Sequence, residues 1–259
     1  MNYFVEGLQG SGKSTLVKRL ADRYKDHTVF HEGDYCPVEL AWCTWMDEDS
    51  YKKALEKYPS IQKEIEDKTV TEGTHKVMRY TQILTDIPGF YKDMEQYEIY
   101  NGRIPLNEFE ELVLKRFSDY NGTNGIFECS VFQNIVEDMI LFRCMSDEEI
   151  TAFYAKVKEA LSGKDYRILY LESEDIRKNI DHIRKERSDD NGNELWFPMM
   201  LEYFNSCPYS VENKKAGEDD LIEHFCHRQS LELKLCNELF KDKAVVLKSK
   251  SEEIENYFR

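Results

Sequence analysis

The sequence predicts an α/β fold of three layers, in which helices cover both faces of a five-stranded parallel sheet. Five short apolar segments have the length of buried strands, and longer segments of helical periodicity separate them. The strands are predicted at residues 2–6, 28–31, 126–129, 166–171 and 244–247. The chain of 259 residues suits a single domain over residues 1–259.

Helical patterns fill most of the intervals between these strands. They are predicted at residues 13–25, 37–82, 107–117, 147–161, 173–187 and 221–240, and Ser249 to Glu252 are predicted to cap a last helix. Ser146 and Glu149 fit a capping box at the start of one of these helices. The long interval between the second and third strands predicts a helical insertion at about 37–120. In it, Trp42 and Trp45 are interpreted as core residues, and a platform for the substrate is the alternative.

The composition excludes some classes of partner. The net charge is −15, and such a surface repels nucleic acid and anionic lipid. We therefore expect neither a nucleic-acid nor a membrane partner, and the sequence does not indicate whether the chain forms an oligomer. Seven cysteines without C-x-x-C spacing, and an N-terminus that does not resemble a signal peptide, predict a cytoplasmic location.

One motif predicts specific chemistry. The residues GLQGSGKS at 7–14 match G-x-x-x-x-G-K-[ST] at every fixed position, between a predicted strand and a predicted helix. In such a P-loop, backbone N–H groups and the helix N-terminus hold nucleotide phosphates. Lys13 is expected to reach the β- and γ-phosphates of ATP, and the Ser14 hydroxyl is expected to bind Mg²⁺. The predicted nucleotide contacts are Gly7, Gln9, Gly10, Ser11, Gly12, Lys13, Ser14 and Thr15.

A P-loop is shared by several classes of protein. The sequence lacks the N-K-x-D segment of GTPases, and its third strand matches the acidic strand of AAA-type ATPases poorly. These absences favour a kinase that transfers the γ-phosphate of ATP to a small-molecule acceptor. A regulatory ATP-binding protein or slow ATPase switch, and an antibiotic-modifying phosphotransferase, remain alternatives.

The order of further motifs resembles the thymidylate kinase and deoxynucleoside kinase group. In that group an opening strand, a general base, the end of the third strand and a basic lid follow one another along the chain. The corresponding segments here are, in the same order, FVEG at 4–7, HEGD at 31–34, ECS at 128–130 and IRKER at 183–187. RYTQ at 79–82 resembles its base-reading segment and makes Gln82 a candidate substrate contact. The sequence departs from the group where Cys129 replaces an arginine and Gly33 replaces a proline.

The resemblance implies roles for the remaining candidates. Glu32 or Asp34 is expected to act as general base for the acceptor hydroxyl, although acidic residues are also common in loops. Glu128 is expected to hold a water molecule of Mg²⁺ or to contact the acceptor, or else to cap the following helix. Arg184 and Arg187, in a lid at about 173–192, are expected to contact the transferring phosphate, and a solvated helix face is the alternative.

Overall fold

A computed structural model describes residues 1–251, 254 and 257. The chain divides into two compact units, and we call Met1–Val29 with Asn121–Arg259 the P-loop unit and Phe30–Tyr120 the second unit. The prediction that the whole chain acts as one domain with an insertion at about 37–120 stays a prediction.

The main sheet has five strands: β1 (Asn2–Gly7), β2 (Thr28–Phe30), β6 (Gly125–Glu128), β7 (Tyr166–Glu172) and β8 (Ala244–Lys248). Their order across the sheet is β2-β6-β1-β7-β8. Strand β1 runs parallel to both β6 and β7, and β7 runs parallel to β8. Parallel strands that are buried on both faces consist of continuous apolar residues. The observed strands and their parallel pairing confirm the predicted fold class and all five predicted strands.

Helices of the P-loop unit are α1 (Lys13–Arg23), α6 (Gln133–Leu141), α7 (Asp147–Ala160), α8 (Ile176–Glu186), α9 (Trp196–Ser206), α10 (Pro208–Asn213) and α11 (Glu218–Lys234). A π-helical turn, Leu235–Leu239, extends α11. The apolar face of α1, with Leu16 and Val17, packs against sheet residues such as Val5 and Leu169. The predicted capping box is confirmed, since Ser146 and Glu149 bond each other's backbone N–H.

The second unit contains a three-stranded antiparallel sheet. Its strands β3 (Met46–Asp47), β4 (Thr69–Glu72) and β5 (His75–Met78) have the order β3-β5-β4. Its helices are α2 (Glu48–Lys57), α3 (Gln62–Asp67), α4 (Phe90–Glu95) and α5 (Leu106–Asp119), with short 3₁₀ turns at Pro59–Ile61 and Tyr80–Gln82. Residues including Met46, Met78 and Phe90 form its core.

Several expectations from the sequence differ from the structure. The helical prediction over 37–82 is wrong in part, because Thr69–Glu72 and His75–Met78 pair as a hairpin around Gly73, whose φ of +59° suits a turn. The helices α4, α6, α9 and α10 were not predicted. Trp42 is 47% exposed, so its interpretation as a core residue is wrong. The predicted capping of a last helix by Ser249 to Glu252 falls partly outside the described residues.

Candidate active site

The P-loop connects β1 to α1 and takes a conformation that only glycine permits at two positions. Gly7 has φ +137°, and a Cβ there would lie 2.6 Å from the carbonyl oxygen of Leu171. Gly10 has φ +71°, and its Cβ would lie 2.2 Å from Cγ1 of Ile183 on α8. Gly12 precedes α1 with open space where a Cβ would stand. The loop is therefore held tightly at Gly7 and Gly10 and remains open at the helix N-terminus, where an anion binds most favourably.

Lys13 lies inside the curve of this loop. Its Nζ donates hydrogen bonds to the carbonyl oxygens of Gly7 and Leu8, both at 2.9 Å, and the residue is 8% exposed. Neutral carbonyl groups are weaker partners for an ammonium group than phosphate oxygens are. The lysine is thus held where a phosphate in the loop would offer it a better acceptor.

The structure brings together the two residues predicted to hold Mg²⁺. The Ser14 hydroxyl donates to Oε1 of Glu128 at 2.6 Å, although the two residues are 114 positions apart. Glu128 ends β6 next to β1 in the sheet, which explains the approach. A hydroxyl and a carboxylate supply the hard oxygen ligands that Mg²⁺ prefers, so the pair fits the ion. Thr15 follows on α1 and is exposed.

In the second unit, Asp34 and Gln82 contact each other. Gln82 Nε2 donates to Asp34 Oδ1 at 2.8 Å and to the carbonyl oxygen of Gly33 at 3.1 Å. The other oxygen of Asp34 accepts from the N–H of His31 at 2.9 Å. Both carboxylate oxygens of Asp34 therefore accept hydrogen bonds that fix the loop.

Glu32 has a different environment in the same loop. It is exposed, and its Oε1 accepts a hydrogen bond from the Trp42 indole Nε1 at 3.0 Å. Of the two acidic candidates, Glu32 has the solvent access that an acceptor hydroxyl requires, whereas Asp34 organises the backbone of the loop.

Comparison with known proteins decides which class of P-loop protein this is. The deoxynucleoside kinase family model matches residues 3–203. The chain belongs to the deoxynucleoside kinase family. No curated protein matches the sequence. Among solved structures, it is similar to deoxyadenosine kinase from M. mycoides with bound dATP, at 13% identity and a TM-score of 0.41, over 100% of this chain and 97% of the other.

Membership of the deoxynucleoside kinase family confirms the predicted activity. The protein is an ATP-dependent phosphotransferase that acts on a small-molecule acceptor. This favours the kinase prediction over a regulatory ATP-binding protein and over an antibiotic-modifying enzyme. Within the described part of the chain, every helix is too short or too polar to cross a bilayer.

Cys129, which replaces the arginine expected in the deoxynucleoside kinase family, is buried. Cys129 is 1% exposed and has φ +59°, which is uncommon for a residue other than glycine. Its N–H donates to the carbonyl oxygen of Val5 at 3.1 Å. The chain therefore turns sharply at the end of β6, with Cys129 inside the fold and Glu128 beside Ser14.

The basic helix of this kinase forms ion pairs with neighbouring acidic residues. Arg184 contacts the carboxylates of Glu194 and Glu218 at 3.0 Å and 3.1 Å. Its guanidinium also lies 4.1 Å from the centroid of the Phe197 ring. Arg187 is exposed and lies 5.2 Å from the Trp196 ring centroid. Contact of these arginines with a transferring phosphate stays a prediction.

Buried carboxyl groups form a feature that sequence analysis missed. Burial raises the pKa of Glu6 to about 7, although the N–H groups of Val131 and Gln133 donate to its carboxylate. In the second unit, burial raises the pKa of Glu39 to about 8 and that of Glu98 to about 7. No motif indicated these residues, because their burial depends on contacts between distant segments.

Arg228 is a second feature that the sequence did not indicate. It lies on α11, is 0% exposed, and donates through Nη2 to the side-chain Oε1 of Gln9 in the P-loop at 2.8 Å. An arginine on a helix usually lies at the surface, so its residue type predicts solvent exposure. The 219 positions between Gln9 and Arg228 leave no local signal of the contact.

Proposed function

We propose that this protein transfers the γ-phosphate of Mg·ATP to a hydroxyl group of a deoxynucleoside. The observation that supports this most strongly is the P-loop of a deoxynucleoside kinase in which Lys13 and the Ser14–Glu128 pair lie at the start of α1. These groups have the charges and oxygen ligands that Mg·ATP requires.

On the nucleotide side, Lys13 exchanges its two carbonyl partners for oxygens of the β- and γ-phosphates. The N–H groups of the loop hold the same phosphates, with Gly12 leaving room at the helix N-terminus. Ser14 and Glu128 hold Mg²⁺, which neutralises phosphate charge when bound. Local positive charge is essential, because the chain has a net charge of −15.

On the acceptor side, Glu32 acts as the general base. The acceptor oxygen forms a bond to the γ-phosphorus, the bond from that phosphorus to the β–γ bridging oxygen breaks, and ADP leaves. The proton of the acceptor hydroxyl goes to the Glu32 carboxylate. Asp34 and Gln82 keep the loop that bears Glu32 in place, and Gln82 is also a candidate contact for the nucleobase.

Arg184 and Arg187 add positive charge at the transferring phosphoryl group. This role requires Arg184 to exchange Glu194 and Glu218 for phosphate oxygens, which carry more charge than a carboxylate. We further propose a cytoplasmic location, because all seven cysteines are free thiols.

The test is ATP consumption measured with each of the four common deoxynucleosides, each matched with its ribonucleoside. We expect at least one deoxynucleoside to raise the rate many-fold above the rate without acceptor, with stoichiometric formation of its monophosphate. Slow ATP hydrolysis that no nucleoside accelerates would contradict the proposal and would favour an ATPase switch.

A further inference from the structure

Arg228 has three partners inside the P-loop unit. Its Nη1 lies 2.7 Å from Glu137 Oε2 on α6, and its Nε lies 3.3 Å from Glu232 Oε1 one turn along α11. Its Nη2 donates to Gln9 Oε1 at 2.8 Å. The guanidinium therefore joins two helices to the side chain of a residue in the phosphate-binding loop.

The two carboxylates account for the burial of the charge. An unpaired buried guanidinium is costly, and it requires an acidic partner with close geometry. Glu137 supplies that partner, and although burial opposes its ionisation, Arg228 and His224 lower the pKa of Glu137 to about 2. Glu232 adds a second acidic group, itself hydrogen-bonded by the Tyr170 hydroxyl at 2.7 Å. Gln9 is neutral, so its contact with Arg228 does not balance charge. It connects the cluster of Arg228, Glu137 and Glu232 to the P-loop.

Gln9 is also held through its backbone. Its carbonyl oxygen accepts a hydrogen bond from Asn179 Nδ2 on α8 at 2.7 Å. Gln9 immediately precedes Gly10, where the backbone enters the left-handed region and the N–H groups of the following residues begin to turn inward. Two contacts on Gln9, one from α8 and one from α11, thus hold the loop next to Gly10.

We propose that Arg228 is a positioning residue for nucleotide binding: through Gln9 it holds the P-loop in the conformation that accepts phosphates. The proposal rests on the proposed role of the P-loop in binding ATP. Without this anchor the loop populates the binding conformation for a smaller fraction of time, and the apparent affinity for ATP falls by that fraction.

The experiment measures the Kd of a non-hydrolysable ATP analogue with Mg²⁺ by calorimetry, together with KM for ATP and kcat. Arg228→Lys keeps the buried charge but removes the planar guanidinium group, whose Nη2 reaches Gln9. Gln9→Leu removes the acceptor from a partly exposed loop residue and leaves the cluster in place. Each variant is expected to raise Kd and KM for ATP about tenfold, with kcat at saturating ATP nearly unchanged, since a charge-assisted hydrogen bond is lost. The double variant is expected to be no weaker than either single variant.

Arg143→Lys is the matched control. Arg143 is paired with Asp138, the neighbour of Glu137 on α6, and its side chain is 5% exposed. We expect this variant to lose stability comparably while its Kd for the analogue stays at the wild-type value. An equal rise in Kd for Arg143→Lys would overturn the proposal, because general destabilisation would then explain the effect.

If Arg228→Lys does not fold, Gln9→Leu keeps the proposal open to refutation. Wild-type affinity in Gln9→Leu would overturn the positioning role. Lys13→Ala, measured in parallel, separates this outcome from failure of the proposed function. If Lys13→Ala weakens binding and Gln9→Leu does not, only the role of Arg228 is wrong. If neither variant weakens binding, the P-loop does not bind ATP and both proposals fail.

Discussion

The P-loop unit and the second unit arrange their functional side chains in different ways. In the P-loop unit, Lys13 bonds the carbonyl groups of Gly7 and Leu8, all within seven positions of one motif. In the second unit, Asp34 meets Gln82 across 48 positions. The contacts of the phosphate-binding lysine are thus local, whereas the contact between Asp34 and Gln82 depends on how distant segments fold together.

The difference follows from what each region has to bind. Every nucleoside triphosphate presents the same charged phosphates, and backbone N–H groups with one lysine suffice to hold them. A nucleoside acceptor has no such charge, and it has to be recognised through shape and individual hydrogen bonds. Side chains from several segments are needed for that purpose.

The largest expected effect is on the acceptor side. Glu32→Gln preserves the size of the side chain and removes the base, so we expect kcat to fall about a hundredfold. The Kd for ATP should stay unchanged, because the proposed partner of Glu32 is the acceptor hydroxyl and not ATP. Steady-state kinetics at saturating ATP, with calorimetry for ATP alone, checks both statements. Asp34→Asn serves as the comparison, and a larger loss of kcat in that variant would identify Asp34 as the base.

A smaller effect is expected from Lys13→Ala. This variant removes a charge-assisted contact to phosphate, so ATP binding or turnover should weaken at least about tenfold, or about 1.4 kcal/mol. Titration with the ATP analogue and initial rates over a range of ATP concentrations measure the change. Equal affinity and equal turnover in wild type and variant would show that Lys13 does not bind the nucleotide.

The same contrast explains which features could be predicted from the sequence. The five strands and the P-loop follow from apolar runs and a local motif, and the approach of Ser14 to Glu128 follows from the adjacency of parallel strand ends. The hairpin at Thr69–Glu72 and His75–Met78 was missed, because Thr71, Glu72 and Lys76 make its pattern polar. Strands of this kind depend on pairing more than on hydrophobic periodicity.

Two side chains show the limit most clearly, one of them misjudged from the sequence and the other not indicated by it. The interpretation of Trp42 as core rested on its residue type, yet its backbone has φ +61° and its ring is 47% exposed. The contact of Arg228 with Gln9 joins residues from opposite ends of the chain. Residue type and local spacing do not specify such contacts, which arise only when the helices pack on the sheet.

The lid prediction concerns turnover in the P-loop unit. Arg184→Ala and Arg187→Ala are expected to lower kcat about fivefold while changing the Kd for ATP little, since they would contact charge that develops during transfer. Arg177→Ala is the control, because Arg177 lies on the same helix and also pairs with Glu218. Equal losses in all three variants would indicate that these arginines only tie α8 to its acidic neighbours.

The smallest expected effect concerns the orientation of Glu32. The Trp42 backbone lies in the left-handed region, which is rare for a bulky residue, and this conformation places its indole N–H 3.0 Å from Glu32 Oε1. Trp42→Phe keeps an aromatic ring and removes the donor. Because the contact is exposed, we expect kcat/KM for the acceptor to fall only about twofold to threefold, without change in the Kd for ATP.

The matched control for this last prediction is Trp45→Phe. Trp45 stacks on His75 with ring centroids 4.2 Å apart, a contact that phenylalanine can largely retain. We therefore expect wild-type kcat/KM in Trp45→Phe. In the background of Glu32→Gln, Trp42→Phe should have no further effect on kcat, since the carboxylate that the indole orients is already absent. An additive loss in the double variant would mean that Trp42 contacts the acceptor itself, and the indole would then belong to the acceptor site in its own right.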